Sequence, residues 1–562
     1  MFIDIFRGFW VVVMLGLAPL SALARTHADV ACPRPAPGSV VPEPADLESR
    51  DGVLRVDLTY RNFTAADGQE RYCYQAQDGS EAPTLHLHPG DLLVLRLKNR
   101  LTGEHGAPAA MAISEPCAAG KMSALSTNLH FHGMTVPPVC HEDDVLHTVI
   151  APGTAPYEYR FRVPADEAPG LHWYHPHVHG FTRPQVLGGA SGALIVEGME
   201  RANKLVSGLP ERVFVIRDQP LLKPDAAPSA AGAAPPVLRD PEGDILNRGT
   251  GGGKPDKDLS INFVPAPYPD YRPAVIMVRP SERQLWRVVN SSSVTYLDLQ
   301  VVVNGSPQTM GVVALDGKPI NENGLVKDRV LWVEHIFLPP SARVEWIFKG
   351  VPVGAHARLI TRSVDTGPAG ENDPTRPLAD IVASDKASEP MRRLDASATP
   401  LPRSPLVWLG DVKPVRARKL YFSEQPVDPK KPDGLTAFMI TVEGQAPATF
   451  DPSAAQPNIT VNQGDVEDWV LENRSRESHA FHIHQVHFML MKWDGVPVEE
   501  PFLKDTINVP YWDGKSRYPS VTLRMDFRNP NAVGTFVYHC HLLEHEDMGM
   551  MGTIRVLPAP QR

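Results

Sequence analysis

LHLHPGDLLVLRLKN, from Leu85 to Asn99, and ITVNQGDVEDWVLEN, from Ile459 to Asn473, are two copies of one pattern. In each, apolar residues alternate on either side of a Gly-Asp pair, and an asparagine closes the run nine residues after the glycine. Alternation is the period of a β-strand and Gly-Asp is turn chemistry, so each copy reads as strand, tight turn, strand. IMVRPSERQLWRVVN, from Ile276 to Asn290, is a degenerate third copy with Ser281-Glu282 in place of Gly-Asp. The copies start 191 and 183 residues apart, which suits domains of ordinary size. The expected fold is all-β, with three related β-sandwich domains in tandem.

The rest of the chain agrees with that reading. Its 562 residues fit three or four domains. The 57 prolines are roughly twice the usual share and favour a turn-rich β architecture. A net charge of −10 and no basic cluster argue against nucleic acid as a partner. Residues 1–24 read as a signal peptide: Arg7, an apolar run from Gly8 to Leu20, and Ala22-Leu23-Ala24 as the cleavage site. The expected protein is therefore exported, periplasmic or secreted; the run is too short to span a bilayer, so no transmembrane segment is expected, and the missing twin-arginine pair points to the unfolded Sec-type route. Cys32, Cys73, Cys117 and Cys140 are an even set in an exported chain, which allows two disulfides in any of three pairings. The expected domains are 45–200, 205–400 and 405–562. A low-complexity loop runs from Lys223 to Lys257, and a Pro- and charge-rich stretch from Gly367 to Pro405 reads as the linker into the third domain.

A second repeat carries the chemistry. GLHWYHPH, Gly170 to His177, aligns without a gap on GTFVYHCH, Gly534 to His541. There are four His-x-His pairs: His130/His132 and His175/His177 in the first domain, His482/His484 and His539/His541 in the third. On a strand each pair puts both rings on one face, roughly 7 Å apart, a spacing suited to adjacent metals. Eight imidazoles are enough for three copper ions with positions open to oxygen. Cys540, between His539 and His541, faces the other way. With His479, His545 and Met550 it supplies the ligand set of a blue-copper site. Met548 and Met551 are alternative axial ligands by residue type. His172 and His179 flank the first-domain pair, and His487 lies beyond the third-domain one. These three, with His86, His88, His141 and His147, are expected to support or lie outside the site. The middle copy has no metal ligand after Asn290 and reads as a scaffold.

HFHG, WYHPHVHG, HAFHIH and HCHLLEHEDMGMM resemble the four copper signatures of the multicopper oxidases, the family of laccases, ascorbate oxidase and bilirubin oxidase. The resemblance covers the first and third domains, and the three-module layout is also similar. It implies three cupredoxin-like Greek-key β-sandwiches and four copper ions: one type 1, one type 2 and a type 3 pair. By position, type 1 takes His479, Cys540, His545 and Met550. Type 2 takes His130 and His482. The type 3 pair takes His132, His175, His177, His484, His539 and His541. Glu546, and Asp143 or Asp144, match acids that deliver protons. The implied activity is four one-electron oxidations of a small reducing substrate coupled to reduction of O2 to water. The chain lacks the methionine-rich insert of bacterial cuprous oxidases: the comparable stretch, Met391 to Met439, holds methionines only at its two ends. That favours a laccase-like donor, phenolic or aromatic, over cuprous or another metal ion. A non-catalytic structural member of the fold is the remote alternative.

Overall fold

In the computed structural model the described residues are 32–103, 116–117, 120–223, 253–320, 328–390, 392–400, 406–428, 430 and 435–559. The expected signal peptide, nearly all of the Lys223–Lys257 loop and Met391 lie outside them.

Nearly all the regular structure of the described residues is strand, arranged as six sheets that pair into three β-sandwiches of the cupredoxin-like kind. In the first sandwich, one sheet has the order Asp46–Glu48, Thr84–Leu87, Gly192–Val196, Gly170–His175, His130–His132. It packs on a four-stranded sheet that includes Val53–Thr64 and Leu92–Asn99, and the core between them holds Leu85, Leu95, Phe131 and Tyr174. The third sandwich repeats the plan. Ile459–Asn462, Met551–Leu557, Gly534–Cys540, His479–Ile483 and Thr506–Val509 form one sheet, and Val466–Asn473 belongs to the other.

The turn of the repeated motif is a corner between two sheets. Thr84–Leu87 and Leu92–Asn99 lie in opposite sheets, as do Ile459–Asn462 and Val466–Asn473, and as do Ala274–Val278 and Gln284–Asn290. The chain turns between sheets through a left-handed residue: Gly90 (φ 91°), Gly464 (φ 100°) and, in the degenerate copy, Ser281 (φ 56°). Glycine adopts this conformation freely, and serine only at a cost. The closing asparagine has one job in all three copies. Asn99, Asn290 and Asn473 each donate from the side-chain amide to two backbone carbonyls and accept from the backbone N–H two residues on. The carbonyls belong to Leu125 and Ile150, to Thr295 and Leu338, and to Glu477 and Val509.

The structure departs from one expectation. Arg376–Ala383 is not linker: it is a strand of the middle sandwich, paired with Ala274–Val278 and Ala357–Thr361. Its prolines and charges misled because Pro377 sits where the register shifts and Asp380 pairs with Arg358 on an exposed face. The segment ahead of the first sandwich, residues 39–41, also belongs to the middle sandwich. Val41 is buried in its core, and residues 39–41 bond to Val275. The cysteines pair locally, Cys32 with Cys73 and Cys117 with Cys140, which selects one of the three connectivities.

Candidate metal centre

The two histidine-bearing strand pairs have the same register. His130 faces His175 across the first-domain pair of strands, and His482 faces His539 across the third-domain pair. The two sheets meet so that rings from one domain stack on rings from the other. His130 lies 3.7 Å from His484 and His132 lies 3.9 Å from His482, both nearly parallel. All eight rings are buried.

Their nitrogens sort into groups. His132, His175 and His541 converge within metal-sharing distance, as do His177, His484 and His539, and His130 and His482 converge beside His132. The Nε2 atom of His539 is 3.4 Å from that of His177 and 3.3 Å from that of His484. On the far side the rings are oriented by hydrogen bonds. Nδ1 of His175, His482 and His539 faces the backbone carbonyls of Pro176, Asp505 and Cys540, and Nδ1 of His130 faces the Asp143 carboxylate at 3.0 Å. This leaves Nε2 of His130, His175 and His482 buried without a partner, together with Nδ1 of His132 and both ring nitrogens of His541. A buried polar atom left unsatisfied costs about 1–3 kcal/mol. So many at one point fit a metal that takes imidazole, as copper does. Burial first, and the neighbouring imidazoles next, push His130 and His484 well below the ordinary histidine range, so both keep the lone pair a metal needs.

One peptide bond away is the second centre. Cys540 Sγ is 3.6 Å from His479 Nδ1 and 3.7 Å from His545 Nδ1, and those two nitrogens are 3.2 Å apart. Burial opposes a thiolate, but His479 and then His545 outweigh it and bring Cys540 down to about 6. Met550 is buried in the same core cluster as Cys540, and its backbone carbonyl accepts from the Cys540 N–H. Met548 is over a third exposed, and Met551 packs with Val145 and Val537 on the other side. Cys540 is the free cysteine among the described residues.

The acids separate. Glu546 is fully buried, 3.0 Å from His539 Nδ1 and 3.7 Å from His177 Nε2. Asp143 accepts from Phe131 N–H and Gln485 Nε2 besides facing His130, and burial pushes its carboxyl well above the usual range. Asp144 turns away to His147. His179 packs on Phe450, and His86 sits between Asp46 and Glu197. Several groups at the centre had no signal in the sequence. Asp505 lies beside His132, His482 and His487. Glu424 and Ser475 meet Nε2 of His479, and Glu477 meets Nε2 of His545. Only Gln485, directly after His484, could have been suspected from position.

Residues 121–201 and 426–560 each match a family described as multicopper oxidase, and these segments carry both halves of the centre. The chain belongs to the multicopper oxidase family. This multicopper oxidase is 24% identical over 481 residues to multicopper oxidase mco of Staphylococcus aureus, covering 84% of this chain and 81% of that one. It is 22% identical to a laccase of Bacillus subtilis, with 84% and 87% covered. Among solved structures, a Campylobacter jejuni multicopper oxidase described as a metallo-oxidase superposes with a TM-score of 0.63 at 24% identity, covering 94% of this chain and 96% of that chain. A laccase-like multicopper oxidase from Ochrobactrum superposes with a TM-score of 0.60 at 19% identity, covering 92% and 100%. Membership implies a copper oxidoreductase with O2 as acceptor.

Proposed function

We propose that this chain binds four copper ions and couples four one-electron oxidations of a phenolic or aromatic donor to reduction of O2 to water. The type 1 ion is held by His479, Cys540, His545 and Met550. His130 and His482 hold type 2. His132, His175 and His541 hold one type 3 ion, and His177, His484 and His539 the other. The observation that carries the reading is the sorting of eight buried rings into two triads and a remaining pair, one residue from a Cys-His-His set. Copper at these positions supplies one-electron acceptance from the donor and four-electron reduction of dioxygen. Cys540 joins the two centres covalently through His539 and His541, so the donor site and the oxygen site are separate yet continuous. Glu546 and Asp143 stand beside His539 and His130, placed to pass protons to the oxygen site. The two disulfides suit an oxidising compartment, in line with export. Among the described residues no helix is long and apolar enough to cross a membrane.

His545 is the donor-side ring: it stacks on Phe438 at 4.2 Å, an aromatic wall for an aromatic donor. A second reading has its own observation. The outer nitrogens of both type 1 histidines meet carboxylates, His479 Nε2 to Glu424 at 3.3 Å and His545 Nε2 to Glu477 at 3.2 Å. A reduced metal cation would find charge there without a methionine relay. Among relatives both laccase and metallo-oxidase occur as names. The deciding experiment compares kcat/KM for O2 uptake on substituted phenols and on stabilised Cu(I), for the wild type and for Glu424→Gln with Glu477→Gln. Phenol preference that survives both substitutions supports the first reading. A Cu(I) preference that falls at least tenfold in the double variant replaces it with the second.

A further inference from the structure

The middle domain carries none of the eight histidines, yet it reaches the centre they form. Arg343, on the strand Arg343–Phe348, is fully buried. Its guanidinium grips Asp505 of the third domain with two hydrogen bonds, Nη1 to Oδ1 at 2.7 Å and Nη2 to Oδ2 at 2.6 Å. Its Nε donates to the carbonyl of Leu171 in the first domain at 3.4 Å. One side chain therefore touches all three domains at the floor of the histidine cluster.

Asp505 is the group through which this reaches the rings. Its Oδ1 lies 3.4 Å from His132 Nε2, and its backbone carbonyl accepts from His482 Nδ1 at 2.9 Å. Its own backbone N–H and that of Thr506 donate to Asp316 of the middle domain, and Asp316 also receives the backbone N–H of Arg343. The Thr506 hydroxyl pairs with that of Ser341 at 2.8 Å. The loop that bears Asp505 is thus held to the middle domain at four points. The glycine of HFHG belongs to the same arrangement. Gly133 follows His132 with φ +83°, and a Cβ there would overlap Arg343 Nη2 and come within 2.8 Å of Asp505 Oδ2. Any other residue would displace the clamp.

We propose that Arg343 is a positioning residue for oxygen reduction, fixing the Asp505 carboxylate against His132 and His482 so that the middle domain forms part of the trinuclear site. A planar fork held by two parallel hydrogen bonds sets both the place and the orientation of a carboxylate, which a lysine ammonium does not. Groups behind a histidine ligand orient the ring and tune the metal, and their loss commonly costs 10–100-fold in affinity or activity. The inference rests on the proposed copper assignment, which the wild type tests separately. If wild-type protein takes up no copper beyond the type 1 ion, that assignment fails before Arg343 is in question.

The test uses copper-loaded Arg343→Met and Arg343→Lys. Three quantities are read: type 1 absorption and its anaerobic reduction rate, the type 2 electron paramagnetic resonance signal, and the rate of reoxidation by O2. Arg343→Met should keep the blue band and its reduction rate, lose or alter the type 2 signal, and reoxidise at least tenfold more slowly. Arg343→Lys should recover part of the reoxidation rate. Combining Arg343→Met with Asp505→Asn should be no worse than Asp505→Asn alone, because both changes remove one contact. An unaltered type 2 signal with normal reoxidation in a copper-replete Arg343→Met protein overturns the proposal, as does equal loss at both centres. If Arg343→Met does not fold, Arg343→Lys alone decides: reoxidation slowed at least threefold with normal type 1 reduction supports the clamp, and normal reoxidation refutes it.

Discussion

In the proposed assignment Cys540 serves two centres and ligates copper at only one of them. Cys540→Ser should abolish the blue absorption while leaving about three coppers per chain, because the serine hydroxyl is a far harder and less acidic ligand than a thiolate. A blue Cys540→Ser protein in an absorption spectrum would refute the type 1 assignment. Met550→Leu should remain blue and show a higher type 1 potential, since the thioether donates to and stabilises the oxidised ion. A redox titration with no rise would exclude Met550 as the axial ligand. At this scale the residues that cluster were legible because metal chemistry restricts residue type and strand period restricts spacing. His479 was readable only through its phase against His482. Asp505, Glu424 and Glu477 were not readable at all: carboxylates are common, and these reach their histidines through loops and strands far away in the chain. Asp143 and Asp144 were indistinguishable as neighbours, and only the turn that buries one and points the other at His147 separates them.

The element that recurs is the sandwich corner with its closing asparagine. Asn290→Ala would leave the carbonyls of Thr295 and Leu338 and the N–H of Ser292 without their partner. Buried groups in this state cost about 1–3 kcal/mol each, so the middle domain should unfold at clearly lower denaturant, followed through tryptophan fluorescence from Trp286 and Trp346. Copper content should be unchanged, and an unshifted transition would show that these bonds contribute nothing. The corner was visible as a repeat because turn chemistry and alternation are local. That it joins opposite sheets was not visible, since sheet membership is decided by partners remote in sequence. The strand Arg376–Ala383 was missed for the same reason. Its half-exposed, proline-bearing pattern looks like linker until Ala274–Val278 and Ala357–Thr361 flank it.

Across the whole molecule the histidine cluster lies where the first and third domains meet, with the middle one clamped beneath. The contact is directional elsewhere too. Asp547, next to Glu546, accepts the backbone N–H groups of Thr182 and Arg183 in the first domain. Metal removal should therefore loosen an interface as well as empty a site. Ligands that bind only the folded state add stability by mass action. Copper-free protein should melt several degrees lower by calorimetry and regain its transition on reloading, whereas equal melting temperatures would argue that the rings hold no metal in solution. The sequence order of the modules and the pairing of first-domain with third-domain histidines were legible because the two halves repeat each other. The middle domain's role was not, because absence of histidine says nothing about an arginine that acts through another domain's carboxylate. The central claim is that one chain holds four redox-active copper ions in two linked centres. An anaerobic reductive titration of the copper-loaded protein counts them directly. The account predicts four electrons taken up per chain, with the blue band bleached during the titration and restored by O2. Saturation at a single electron, or bleaching that O2 does not reverse, would contradict it.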